Sequence, residues 1–126
     1  MIGIDIIEIS RIENLMGEKF YDKVFTQEEI SYISFKNYAP QTVAGLFCAK
    51  EAVLKALGCG IGNGVGLKQV EIAHDSFGKP LVNLQGKAQE LAQKMGGLVH
   101  VSISHSSQTA VAIAQIQLNK ERAFKL

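Results

Sequence analysis

Apolar residues along this chain fall into short runs and helical spacings that predict its elements in order. Residues 2–9 (IGIDIIEI) are dominated by β-branched side chains over too short a run for a helical period, which predicts a strand. Ser10 and Glu13 follow in S-x-x-E spacing, the capping-box arrangement, and predict a helix that stops near Gly17. Thr26 and Glu29 repeat that spacing and predict a helix through Tyr32 and Phe35, broken at Pro40. The longest helix is expected over residues 41–57, ended by Gly58, with Val43, Phe47, Leu54 and Leu57 as its buried stripe.

Residues 58–66 (GCGIGNGVG) carry five glycines in nine positions and predict a loop. Strands are expected at 67–74 and 80–84 with DSFGK as the turn between them, and a short helix at 86–96 with Leu91 and Met95 on one face. Two alternating strands close the pattern, LVHVSIS and TAVAIAQIQL, before a polar tail, NKERAFKL, expected to fray or to meet a neighbouring subunit. Short strand-to-strand connections predict mainly antiparallel pairing, and the class is α+β.

Composition narrows the picture. The 126 residues suit one domain, 1–126, and 47% hydrophobic content excludes a disordered chain. Thirteen Lys+Arg against twelve Asp+Glu leave a net charge of +1, so the chain lacks the bulk basicity of a nucleic-acid binder. Two cysteines, Cys48 and Cys59, give neither a disulfide framework nor paired zinc spacing, and Cys48 reads as a small core residue. The apolar N-terminus carries Asp5 and Glu8 without a basic flank, and no run is long enough for a membrane span. The expectation is a soluble cytoplasmic protein.

Local rules leave four features unexplained. Asp5 lies in a strand that is apolar on both faces and so is expected to be buried. A carboxylate there needs backbone N–H groups, an Arg or a metal. Glu51 and Lys55 stand four apart on the long helix, the spacing of an ordinary surface ion pair. Lys50 falls within the apolar stripe, where it either snorkels to the rim or carries its charge into a cleft. The glycine loop matches no phosphate-loop pattern, and turn flexibility is its default reading. Ser104-His105-Ser106 invites a hydrolase reading, but strand neighbours point to opposite faces and no nucleophile elbow is present. His105 either belongs to a polar turn or contacts an anionic ligand. His74 and His100 read as ordinary strand positions.

In chain order, GIDIIEISRIE (residues 3–13), FCAKEAVLKALG (47–58), FGKP (77–80) and VSISHS (101–106) closely resemble holo-[acyl-carrier-protein] synthase, the small bacterial type of 4'-phosphopantetheinyl transferase. The resemblance covers nearly the whole chain. It implies a mainly antiparallel sheet packed on a long central helix, and a homotrimer with active sites at subunit interfaces. It implies transfer of the 4'-phosphopantetheine arm of coenzyme A to a serine of apo acyl carrier protein, releasing adenosine 3',5'-bisphosphate, a step that serves fatty acid biosynthesis.

Carried over residue by residue, the resemblance makes Asp5 and Glu51 the Mg²⁺ ligands and sets Lys55 toward the pyrophosphate. Glu51, or a metal-bound water it orients, takes the serine proton. Gly60, Ile61, Gly62, Lys79, Pro80 and His105 match positions around the nucleotide, and Arg11 matches a basic position that meets the acidic carrier protein. Many members have Arg before the aromatic residue of the KEA motif, where this chain has Leu46; one phosphate or carrier contact is therefore either missing or supplied by another residue, such as Lys36 or Lys50. Two competing classes are a non-catalytic coenzyme A or nucleotide-binding module of the same fold, and a hydrolase using Ser104 and His105. Retention of Asp5, Glu51 and Lys55 together argues against the binding module.

Overall fold

A computed structural model describes residues 1–59 and 64–118. The order is β1 (Ile2–Glu8), α1 (Ile9–Leu15), α2 (Glu18–Val24), α3 (Gln27–Phe35), α4 (Pro40–Ala56), a 3₁₀ turn (Leu67–Gln69), β2 (Val70–His74), β3 (Pro80–Leu84), α5 (Gly86–Met95), β4 (Leu98–His105) and β5 (Thr109–Gln117). Two antiparallel sheets form: β1-β5-β4, and the hairpin β2-β3. The class is α+β, as the pattern predicts.

Helix α4 crosses the three-stranded sheet from β4 to β1, and small residues mark each crossing. A Cβ on Gly45 would stand 3.0 Å from Ile103 Cγ2 on β4. The Cys48 thiol donates to the carbonyl of Ala110 on β5 at 3.6 Å. A Cβ on Gly3 of β1 would meet the Ala52 carbonyl oxygen at 2.1 Å and the Ala56 nitrogen at 2.6 Å. Ala110, Ala112 and Ala114 turn their alternating face inward to the same core and are fully buried or nearly so. Their small size thus serves packing inside the chain.

Several local expectations change. The Ser10–Glu13 capping box does not form, because α1 starts at Ile9 directly from β1 and Ser10 is already inside the helix. The Ile9 N–H is satisfied by the Gln108 carbonyl at 2.8 Å, so the neighbouring strand-end does the work of a cap. Helix α2 was not anticipated. It is amphipathic over barely two turns, and Phe20 anchors it on the rings of Phe25 and Phe47 at 5.8 and 6.1 Å. The Thr26–Glu29 capping box is present in full. Pro40 ends no helix; as the first residue of α4 its fixed φ and missing N–H suit the position. Residues 67–69 form a 3₁₀ turn ahead of a strand that starts at Val70. Asp75 closes the DSFGK turn by accepting from the N–H groups of Phe77 and Lys79.

Strand β1 is not buried on both faces. Gly3 and Asp5 face α4, whereas Ile2, Ile4 and Ile6 are 64%, 58% and 68% exposed on the outer face of the sheet.

Candidate active site

Asp5, Glu51 and Lys55 come together where β1 lies against α4. The Gly3 contact brings the strand backbone onto the helix at Ala52 and Ala56. Asp5, two residues on, therefore turns its carboxylate to the same helix face. Lys55 Nζ donates to Asp5 Oδ1 and to the Ile4 carbonyl, both at 3.0 Å. The predicted surface pair between Lys55 and Glu51 is replaced by this bridge to β1, in which the Asp5 side chain is 16% exposed and that of Lys55 53%. Burial, then the negative charge of Asp5, raises the Glu51 carboxyl above its usual range, with Lys55 opposing. Burial and the Asp5 charge also push the Cys48 thiol up to about 12, so it remains neutral beneath the pair.

Two carboxylates within mutual electrostatic reach, one raised by burial and then by the other, are a suitable half-site for a hard divalent cation. Both offer oxygen donors of the kind Mg²⁺ takes. Among the described residues no group of three or more His, Cys, Asp or Glu could enclose an ion. Remaining ligands would have to come from substrate phosphates and water, the usual manner of Mg²⁺ sites.

The other expected residues divide. Pro80 and His105 border a cavity of about 300 Å³ between the α3–α4 turn, the β2-β3 hairpin and β4, together with Leu46, Lys36, Tyr32 and His74. Lys79 is exposed in the hairpin turn beside it. Leu46, where the family often has Arg, is thus a wall of this cavity, and Lys36 is a cation on it. Lys50 is not available for that contact. It is fully buried and paired with Glu29, neither at the rim nor in a cleft. Gly60, Ile61, Gly62 and the NKERAFKL tail lie outside the described residues. Arg11 is exposed on α1, beside Ile6, Ile7 and Glu8.

Tyr32 and His74, which the sequence does not single out, also line this cavity. Their rings stack at 3.8 Å with planes 8° apart, and Lys36 Nζ lies 5.7 Å from the Tyr32 centroid. Burial and then Lys36 lower the His74 pKa, which favours the neutral ring in the stack. No periodicity signals a helix residue meeting a strand residue 42 positions later. His105 Nδ1 lies 3.4 Å from the Ser106 carbonyl, and its alternation with Ser104 leaves the hydrolase reading without a nucleophile–base pair.

Comparison with known proteins identifies the family of the chain. The sequence matches the model of the 4'-phosphopantetheinyl transferase superfamily over residues 1–114. It is 46% identical over 118 residues to a holo-[acyl-carrier-protein] synthase of Clostridium beijerinckii, covering 92% of this chain and 95% of that one. The corresponding protein of Clostridium kluyveri is 42% identical over 122 residues, covering 94% and 90%. Among solved structures, the Helicobacter pylori holo-[acyl-carrier-protein] synthase in complex with coenzyme A superposes with a TM-score of 0.82 at 31% identity, covering 93% of this chain and all of that one. A Bacillus anthracis holo-(acyl-carrier-protein) synthase in complex with CoA (3',5'-ADP) gives 0.75 at 38% identity, covering 90% and 91%. By its motifs, its fold and these relatives, the chain belongs to the holo-[acyl-carrier-protein] synthase family of the 4'-phosphopantetheinyl transferase superfamily.

Proposed function

We propose that this chain moves the 4'-phosphopantetheine arm of coenzyme A onto a serine hydroxyl of apo acyl carrier protein, in the cytoplasm and in service of fatty acid biosynthesis. The observation that carries the reading is the Asp5–Lys55 bridge beside the raised Glu51 carboxyl, formed by the family's two motifs.

The serine Oγ forms a bond to the β-phosphorus of coenzyme A, and the bond from that phosphorus to the bridging oxygen breaks. Adenosine 3',5'-bisphosphate leaves. Glu51 accepts the serine proton, directly or through a water that it orients. Lys55, with its ammonium half-exposed at the mouth of the pair, offsets charge gathering on the departing phosphate. Asp5 orients Lys55 and, with Glu51, would hold Mg²⁺, which when bound neutralises pyrophosphate charge. Pro80, His105, Lys79 and the 60–62 segment are assigned to the nucleotide, with Lys36 in the role of the Arg absent at Leu46. Arg11 is assigned to the acidic carrier protein.

A homotrimer with the sites between subunits completes the proposal. Ile2, Ile4 and Ile6, with Ile113 opposite Ile4 on β5, form an exposed apolar face on the outer side of the sheet. Contiguous apolar patches of this kind mark interaction surfaces, and a second copy is the occupant proposed. This face adjoins the edge at which Asp5 stands.

The test is direct. The protein, coenzyme A, Mg²⁺ and an apo acyl carrier protein are mixed, and the carrier is weighed intact. Addition of one phosphopantetheine mass, abolished by EDTA, is expected; an unchanged carrier mass would overturn the reading.

A further inference from the structure

We propose that the buried Glu29–Lys50 pair is a positioning device for the cavity bordered by Tyr32, His74, Leu46 and His105. The inference rests on the reading that this cavity takes the nucleotide part of coenzyme A. Both side chains are fully buried, and one carboxylate gathers three elements. Glu29 Oε1 accepts from Lys50 Nζ on α4 and from the Thr26 N–H at 2.9 Å, and Oε2 accepts from the Ile72 N–H on β2 at 2.8 Å. Lys50 Nζ also stands 5.4 Å from the Phe25 ring centroid.

Stability alone does not account for such a pair. A buried ion pair costs desolvation that apolar residues of similar volume avoid, and replacement by such residues is often neutral. What the carboxylate supplies is direction: three donors from three elements fix their separation and rotation about one point.

That point lies one step behind the cavity on every element. On α3, Tyr32 and Lys36 follow Glu29 at i+3 and i+7, along the same face. On α4, Leu46 and Thr42 precede Lys50 at i−4 and i−8, again one face. On β2, His74 follows Ile72 at i+2 and shares its face. All five residues line the cavity. The Tyr32–His74 stack is therefore a second contact between α3 and β2, registered by the Glu29–Ile72 hydrogen bond behind it. Without the pair, α3 and β2 lose their shared polar tie to α4, and the apolar packing that remains does not fix the width of the cavity.

The experiment compares coenzyme A binding by calorimetry, and KM against kcat, in the full chain, the Glu29→Gln/Lys50→Met variant and a cavity variant, Lys36→Ala/His105→Ala. The clamp variant is expected to melt cooperatively, to bind coenzyme A about tenfold or more weakly, and to raise KM for coenzyme A with kcat at saturation little changed. Should it not fold, Lys50→Met alone, in which Glu29 keeps the Thr26 and Ile72 N–H groups and can take up a proton, carries the same expectation. A folded clamp variant with unaltered coenzyme A affinity, beside a weakened cavity variant, overturns the clamp and leaves the cavity reading standing. If neither variant weakens binding, both readings fall.

Discussion

Lys55 reaches across from α4 to Asp5 on β1, Nζ to Oδ1 at 3.0 Å, instead of back along its own helix to Glu51. The link joins the two sequence motifs through a contact fifty residues apart in the chain. It also leaves Glu51 with less compensation than an i, i+4 partner would give, which is why burial and Asp5 together raise its pKa.

The charge pattern gives the first prediction. Asp5→Asn and Glu51→Gln should each lower transfer by about 100-fold or more while leaving the far-ultraviolet circular dichroism unchanged. Carrier mass against time reads the rate, and full activity in either variant refutes the ligand and base assignments.

Glu51 titration, followed by carboxyl-carbon NMR in metal-free protein, should lie above the ordinary glutamate range. Asp5→Asn removes a repelling charge and should move it down; Lys55→Met removes an attracting one and should move it up. Because the folded pKa is raised, protonated Glu51 favours the fold, and this contribution is lost as pH rises from the unfolded value through the folded one. An unshifted Glu51 in the parent protein contradicts the electrostatic account.

Gly3→Ala tests the seam between β1 and α4. Its Cβ would fall 2.1 Å from the Ala52 carbonyl oxygen, so the strand must move away. A loss of about 2–3 kcal/mol in urea unfolding is expected, with activity falling further than the folded fraction because Asp5 moves with the strand. Wild-type stability would show that the approach is looser than described.

Arg11→Ala should weaken carrier protein binding by about tenfold and leave coenzyme A affinity unchanged. Calorimetry on each ligand separates the two, and the reverse pattern rejects the assignment.

Ile4→Asp places a charge in the middle of the exposed apolar face of β1. Sedimentation should show a trimer for the parent and monomers for the variant, with transfer lost in the monomer. An active monomeric parent removes the interface from the mechanism.

Much of the architecture was legible in the chain because short-range rules governed it. The Thr26–Glu29 box, the 80–84 strand and the Asp75 turn depend on neighbours within a few residues. What escaped depended on partners far away. Ser10 cannot cap a helix that the Gln108 carbonyl has already started, and α2 exists because Phe20 finds the rings of Phe25 and Phe47. Lys50 was visible as an anomaly, but Glu29 as its partner was concealed behind that residue's evident capping role. Tyr32 and His74 gave no signal, since each is ordinary in its own element. Asp5 stood out as a carboxylate in an apolar strand, whereas Glu51 read as an ordinary helix-surface residue until the motifs were taken together.

The crossing of α4 over the sheet carries a practical consequence for anyone altering this protein. Gly3 meets Ala52 and Ala56 backbone against backbone, so no side chain there can rearrange to absorb an added methyl, whereas Gly45 faces the Ile103 side chain. Stabilising substitutions should therefore be sought on α5 and the β2-β3 hairpin, where larger and more adaptable side chains meet the core. Along the seam itself, one added carbon atom at Gly3 is enough to drive the strand away from the helix.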